Sequence, residues 1–175
     1  MQPLLERLMT TFPDAVRGVE VDTARNEITA RVAAARIVDV ARWLHDTPEA
    51  SFDHITDICS VDYPNDPERF EVVYQLLSLA HRRRIRLKAR VTEDAPQIAS
   101  VTGIWKGAEF MEREVYDLMG ITFVGHPDLR RILLPEDYEE GHPLRKDFPT
   151  EGRGWRSSFP FIPRLDEAPE EQTEG

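Results

Sequence analysis

Phe70-Glu-Val-Val-Tyr-Gln-Leu-Leu-Ser-Leu-Ala-His-Arg-Arg-Arg-Ile-Arg-Leu-Lys-Ala-Arg-Val91 decides the fold class of this 175-residue chain. Phe70, Val72, Tyr74 and Leu76 recur at every second position of its first half. Ile85, Leu87, Ala89 and Val91 do the same in its second half. A period of two puts each set on one side of an extended strand, and the polar residues around Ala80 to Arg83 supply the turn. The pair therefore reads as a hairpin with one buried face.

Working outward, residues 52–63 are strand-like, with Ile55, Ile58, Cys59, Val61 and Tyr63 before a Pro64-Asn-Asp-Pro67 turn. Cys59 reads there as a packing residue on the apolar face. Asp57 and Asp62 read as hydrogen-bonded turn or core carboxylates. Ile37, Val40, Ala41 and Leu44 mark a helix that stops before Pro48. Short strands are expected near Gly18–Val21 and Glu27–Val32, with a polar turn from Asp22 to Asn26. Leu4, Leu5, Leu8, Met9 and Phe12 mark a first helix between Pro3 and Pro13. Downstream, 106–119 is helical. The order α-β-β-α-β-β-β-α has hairpins and an excess of strands, which indicates α+β. The expected fold is two-layered, a mixed sheet of about five strands with helices packed on one face, plus an extended C-terminal loop and tail. The expected division is a core at 1–119, a docking loop at 120–149 and a Pro-rich acidic tail at 150–175.

Net charge is −10, with acidic residues along the whole length. That argues against a general nucleic-acid binder, which needs a basic surface. Cys59 is the only cysteine, so an internal disulfide is excluded, and no cysteine cluster can hold zinc or an iron–sulfur centre. No apolar run approaches the roughly 20 residues that span a bilayer. The N-terminus, Met1-Gln-Pro-Leu-Leu-Glu, lacks the features of a signal or transit peptide. A cytoplasmic protein is expected, with any membrane association indirect.

The functional information lies in Glu109-Phe-Met-Glu-Arg-Glu-Val-Tyr-Asp-Leu-Met-Gly120 and the loop that follows it to Pro149. Ala108, Met111, Val115, Leu118 and Met119 share one helical stripe, bordered by Glu112 and Glu114, and Gly120 suits a C-terminal cap. A loop this long rarely persists in a compact domain without work or a partner. Arg130, Arg131, Arg145 and Lys146 lie amid Ile132, Leu133 and Leu134 there, a mixture suited to a protein–protein surface. Glu112, Glu114 and Asp117 can grip arginines across an interface, or pair with the loop's own arginines. His126 and His142 each precede proline, in the echo Gly125-His-Pro-Asp-Leu-Arg-Arg131 and Gly141-His-Pro-Leu-Arg-Lys146. They suit ordinary turns better than a metal site or general base. A hydrolase built on Glu112, Glu114 and a histidine would lack a nucleophile and an oxyanion site. The segment 81–90 holds six basic residues in ten. An RNA-binding face would need stacking aromatics that this strand lacks, so a solvated face or one docked on an acidic neighbour fits better.

The run Glu112-Arg-Glu-Val-Tyr-Asp-Leu-Met-Gly-Ile-Thr-Phe-Val-Gly-His-Pro-Asp-Leu-Arg-Arg-Ile-Leu-Leu-Pro135, continued by Glu136-Asp-Tyr-Glu-Glu-Gly-His-Pro-Leu-Arg-Lys-Asp-Phe-Pro149, strongly resembles the C-type subunit of bacterial NADH–quinone oxidoreductase. This is the thirty-kilodalton-type subunit of respiratory complex I. Met119 stands where many relatives have a bulky aromatic. The resemblance implies a chain without a cofactor of its own, in the peripheral arm on the cytoplasmic side of the bacterial cell membrane. It would pack against D-like and B-like subunits and near the ferredoxin-like, I-like one. FMN, iron–sulfur clusters and quinone would belong to those neighbours, and the isolated chain would have no activity. The implied assembly surface comprises Glu112, Arg113, Glu114, Tyr116 and Asp117 on the helix. In the loop it comprises His126, Asp128, Arg130, Arg131, His142, Arg145, Lys146 and Asp147. Dehydrogenases of coenzyme F420 and membrane-bound hydrogenases use a similar module, which leaves the electron donor open.

Overall fold

The computed structural model describes residues 2–22, 27–150 and 152–153. Its elements run α1 (Gln2–Thr11), β1 (Val16–Asp22), β2 (Glu27–Val32), α2 (Ile37–Asp46), β3 (His54–Asp62), β4 (Phe70–Ser78), β5 (Arg83–Val91), β6 (Gln97–Ala99), α3 (Ala108–Met119) and β7 (Thr122–Val124). The expected turn between β1 and β2 falls largely on residues 23–26, outside the described residues, as does most of the tail. The two flanking strands do pair antiparallel, with Asp22 opposite Glu27.

Five strands form one sheet in the order β1-β2-β5-β4-β3. The β4–β5 hairpin lies inside it, with Tyr74 opposite Leu87 and Val72 opposite Ala89. β2 joins β5 in parallel, with Ile28 beside Ile85 and Ala30 beside Leu87, so the sheet is mixed. The inner face is continuous from Ile28 and Ala30 through Leu87 to Tyr74 and Ile58. Leu4, Leu5 and Leu8 of α1 and Ile37, Val40 and Leu44 of α2 complete one core with it. Burying each such side chain contributes about 1.5–3 kcal/mol. The α+β architecture with helices on one face is therefore as the periodicity requires. Among the described residues no helix is long and apolar enough to cross a membrane.

Three details differ from the sequence expectation. Cys59 is exposed rather than packed. A register shift between Ile55 and Asp57 turns both Ile55 and Ile58 inward, and alternation then turns Cys59 out. The third helix starts at Ala108 rather than Lys106. β6 and β7 form a separate parallel pair, Ile98 beside Phe123. Three-residue strands show no period of their own; each exists because one apolar side chain finds the core.

The outer face of β5 is basic but largely neutralised from within. Glu71 is buried between Lys88 Nζ at 2.9 Å and Arg90 Nε at 3.2 Å. Arg90 also pairs with Asp66 and lies over Tyr63. Arg86 faces Glu27 at 3.5 Å.

Candidate docking surface

α3 is the template on which the long loop is laid. Trp105 anchors its approach by donating from Nε1 to the Phe52 carbonyl at 3.0 Å. Val115 and Met119 sink into the core, and Tyr116 packs half-buried against it. A helix leaves its last four carbonyls without intrahelical partners. Here each of them has a named donor. Gly120 N–H donates to Tyr116 O at 2.9 Å, and Leu144 N–H to Leu118 O at 3.1 Å. His142 Nδ1 donates to Asp117 O at 3.0 Å, and Arg145 Nε to Met119 O at 2.8 Å. The Arg145 cation also sits at the negative end of the helix dipole. Gly120 is required twice over. Its φ is +72°, and an added Cβ would strike the His142 ring and the Arg145 guanidinium.

The other histidine clamps the opposite end. His126 Nε2 donates to Glu109 O at 3.0 Å, while its Nδ1 accepts the Asp128 N–H at 3.0 Å. The two Gly-His-Pro segments are thus equivalent turns, with Gly125 at φ +86° and Gly141 at φ +108°. The carbonyls they hold are eight residues apart, about 12 Å along the helix axis. That separation is too great for the two rings to share a metal ion.

Between the clamps, α3 offers the loop one acceptor and one donor group on the same side, four residues apart. Asp117 Oδ2 accepts the N–H groups of Ile132, Leu133 and Leu134 at 3.1, 2.8 and 2.8 Å. Arg113 donates to the carbonyls of Arg130 and Arg131, both at 3.1 Å. Arg131 Nη1 lies 3.7 Å from Asp117 Oδ1. Asp117 and Arg113 are both buried. Their interface role, as expected from sequence, cannot be direct contact: they shape the loop from beneath.

Glu112 departs further from its expected place. Its side chain has no exposed surface and accepts from Ser100 Oγ at 2.6 Å and Val101 N at 2.7 Å. Burial pushes its carboxyl above the usual range, against the opposing Ser100 and Val101 hydrogen bonds. It ties the β6–α3 connection to the helix and can reach no partner chain. Glu114, two positions on, points to another side and is exposed. It lines a cleft of about 250 Å³ with Asp57, Cys59, Leu118 and Leu144. The two glutamates thus do not converge, and a paired-carboxylate hydrolase site is not formed.

The far end of the loop rests on a residue the sequence reading overlooked. Arg69 is buried and holds Asp62 with two bonds, Nε–Oδ1 at 2.7 Å and Nη2–Oδ2 at 2.8 Å. Asp62 also accepts the Lys146 N–H at 2.8 Å, and Arg69 reaches Asp147 at 2.9 Å. Arg69 and, to a lesser degree, the Lys146 N–H hold the Asp62 carboxyl below its ordinary range. The Lys146 side chain is exposed, and Arg130 is exposed beside Asp128 at 2.9 Å. The only advance signal for Arg69 was its place between a Pro-bounded turn and a buried strand.

Beside these charges, apolar side chains also face outward. Phe110, Val124, Leu133 and Leu144 are 59, 54, 59 and 58 % exposed, and Ile132 is 36 % exposed. Five of the eight large apolar side chains exposed among the described residues thus fall between residues 110 and 144. Their backbone is already fixed by the polar bonds below.

Comparison with known proteins identifies the family. A family model described as the 30 kDa subunit of respiratory-chain NADH dehydrogenase matches residues 30–154. The C-type subunit of the NADH-quinone oxidoreductase of a Roseiflexus species is 51 % identical over 83 % of this chain and 82 % of its own. Its counterpart from Xanthobacter autotrophicus is 50 % identical over 87 % of this chain and 71 % of its own. Among solved structures, a trypsin-resistant fragment of Nqo5 is 32 % identical, with a TM-score of 0.60, covering 73 % of this chain and 98 % of the fragment. A chain of an archaeal membrane-bound sulfane sulfur reductase shares the fold. Its TM-score is 0.74 at 23 % identity, covering 95 % of this chain and 98 % of that one.

Proposed function

The chain belongs to the family of the 30 kDa subunit of respiratory-chain NADH dehydrogenase, and from that premise we propose that it is a scaffold of the quinone-reducing part of a proton-translocating complex I. α3 and the loop 120–149 form its docking surface, onto D-like, B-like and I-like subunits of the peripheral arm. The chain carries no cofactor of its own and has no activity alone. FMN, iron–sulfur clusters and quinone are held by its neighbours, and electrons pass through them from NADH to quinone. It is peripheral, on the cytoplasmic side of the cell membrane.

One observation carries this reading. A set of exposed apolar side chains sits on backbone that is already fixed: Ile132 and Leu133 by buried Asp117 and Arg113, Leu144 by the Leu118 carbonyl, and Phe110 and Val124 by their helix and strand. A surface ordered in advance loses less freedom on binding, and exposed apolar groups on it gain from burial. The same apolar residues on a mobile loop would gain from burial but lose more freedom on binding.

The test is a pull-down of the tagged full chain from detergent-solubilised membranes of its host. Recovery of flavin, iron–sulfur and multi-span membrane subunits is expected, and Leu133→Asp should reduce it at least tenfold while the chain stays folded. Recovery of the chain alone, or an undiminished yield with Leu133→Asp, would overturn the proposal. A partner set without an NADH-binding flavin subunit would move the chain to a complex fed by coenzyme F420 or hydrogen. That alternative has one structural point in its favour, the occurrence of the same fold in the archaeal sulfane sulfur reductase.

A further inference from the structure

The basic segment that follows β4 divides in two. Arg86 and Lys88 are matched by Glu27 and Glu71 on the sheet's own outer face, and Arg90 by Glu71 and by Asp66 of the β3–β4 turn. Arg82, Arg83 and Arg84, at the tip of the β4–β5 hairpin, have no carboxylate within ion-pair distance among the described residues. Arg82 and Arg84 are exposed and Arg83 is half-buried. Three consecutive unmatched cations stand out in a chain of net charge −10, where most other arginines among the described residues pair with a carboxylate.

The tip is also held rigid and carries an apolar anchor. Leu79 is 61 % exposed, the highest value for a large apolar side chain among the described residues. Its N–H donates to Asp53 Oδ1 at 3.2 Å, and the His81 N–H donates to Ser78 Oγ at 3.3 Å. The His81 ring meets the Pro48 carbonyl at 2.9 Å. Arg82 sits at φ +50°, a left-handed conformation that disfavours any residue but glycine. The left-handed residue closes the four-residue turn as hairpin loops commonly require; what the turn itself does not require is three consecutive unpaired arginines beside the exposed leucine. The tip lies at the other end of β4 from Arg69, where the far end of the docking loop rests, and on the side of the approach to α3, since Leu79 bonds Asp53 and Trp105 bonds the adjoining Phe52 carbonyl. Phe70, next to Arg69, is at the opposite end of β4, about 26 Å away at ordinary strand rise.

We propose that the hairpin tip, Leu79 with Arg82, Arg83 and Arg84, is a second docking site that inserts into a carboxylate-lined recess of another protein subunit. The proposal goes beyond the apolar docking surface on α3 and the loop by adding a second, cationic contact at the hairpin tip. Charge complementarity sets the occupant. Most of this chain is acidic and favours basic neighbours, whereas the tip needs an acidic one. Arginine can hold a carboxylate through two parallel bonds, which lysine cannot. Strand alternation sends Arg83 and Arg84 to opposite faces of the hairpin. Carboxylates on both walls of a recess can meet them, but a flat anionic bilayer cannot.

The test uses the full chain in its host, with a photo-crosslinking amino acid in place of Leu79. Irradiation of the assembled complex should join the tip to one other subunit, at a segment bearing Asp or Glu. R82E/R84E should lower that yield at least tenfold, and replacing the crosslinked segment's carboxylates with arginine should restore it. Both substituted side chains are exposed, so the melting temperature should stay that of the parent chain and loop-mediated assembly should persist. A crosslink to lipid, a crosslink to a segment without carboxylates, no crosslink in an assembled complex, or a yield unchanged by R82E/R84E would each overturn the proposal. A parent chain that entered no complex at all would overturn the primary docking reading as well.

Discussion

The sheet and the docking loop reach a fixed backbone by opposite means. In the sheet, the ladder satisfies the backbone and an unbroken apolar face supplies the driving force, with Ala30, Leu87 and Tyr74 side by side. From Gly125 to Asp147 there is no ladder. The loop's backbone groups are taken up instead by the buried side chains Asp117, Arg113 and Asp62, while the half-buried His126, His142 and Arg145 reach from the loop to carbonyls of α3. Non-directional burial tolerates substitution and spreads its energy widely. Directional bonds from a few charged groups concentrate it, so each one matters locally. The second method leaves the loop's apolar side chains free to face outward, which a core-driven loop could not do.

Removing the largest polar support should break the contrast most sharply. Asp117→Ala leaves three N–H groups and Arg131 without their acceptor, and losing one partner of such a buried set costs about 3–5 kcal/mol. Protease cleavage should then appear between residues 129 and 135 while the far-ultraviolet dichroism of the sheet is kept. Leu87→Ala should do the reverse. A core truncation costs about 2–5 kcal/mol. It should lower the midpoint of the single cooperative denaturant transition, with no new cleavage in the loop. If both variants lost the same amides together, loop and sheet would be one cooperative unit and the distinction would fail.

Gly120→Ala should have a smaller effect, about 1–3 kcal/mol for forcing a side chain into the left-handed region, and more if the His142 ring cannot move. Its sign of success is selective: exchange at the Leu144 and Lys146 amides should rise before exchange at Ile132 to Leu134. The smallest effect expected is a response to pH. Burial holds the His142 imidazole below its ordinary pKa of 6.5. The unfolded chain therefore binds protons more readily in that window. The stability contributed by neutral His142 is fully present above pH 6.5 and is lost as pH falls through the depressed value. Amide exchange at 144–146 should accelerate on acidification from pH 7 to 5 after correction for intrinsic rates, and His142→Gln should flatten that dependence.

How much of this was legible beforehand follows from the same contrast. Alternation in 70–76 and 85–91 identified the central hairpin, because a half-buried strand writes its environment into every second residue. Helical stripes identified α1 and α2 for the same reason. The loop wrote no period. Gly120 and the paired Gly-His-Pro turns could be read as caps and turns. That both histidines grip one helix could not, since it depends on where the chain returns in space. Glu112 illustrates the limit well. A glutamate beside an apolar stripe looks like a surface residue, and only the partners Ser100 and Val101, brought in by β6, make it a buried one. Arg69 escaped for the same reason, because its partner Asp62 precedes it across a turn while Asp147 lies 78 residues on. The β6 and β7 strands were too short to carry a pattern at all.

The measurement that bears most directly on a loop pre-formed by α3 is hydrogen exchange at the Ile132, Leu133 and Leu134 amides of the isolated full chain near neutral pH. Protection well above the random-coil rate, abolished by Asp117→Ala and little changed by Leu133→Asp, is the expected result. Exchange at the random-coil rate in the free chain, with protection appearing only in the assembled complex, would contradict it and make the loop a segment that folds on its partner.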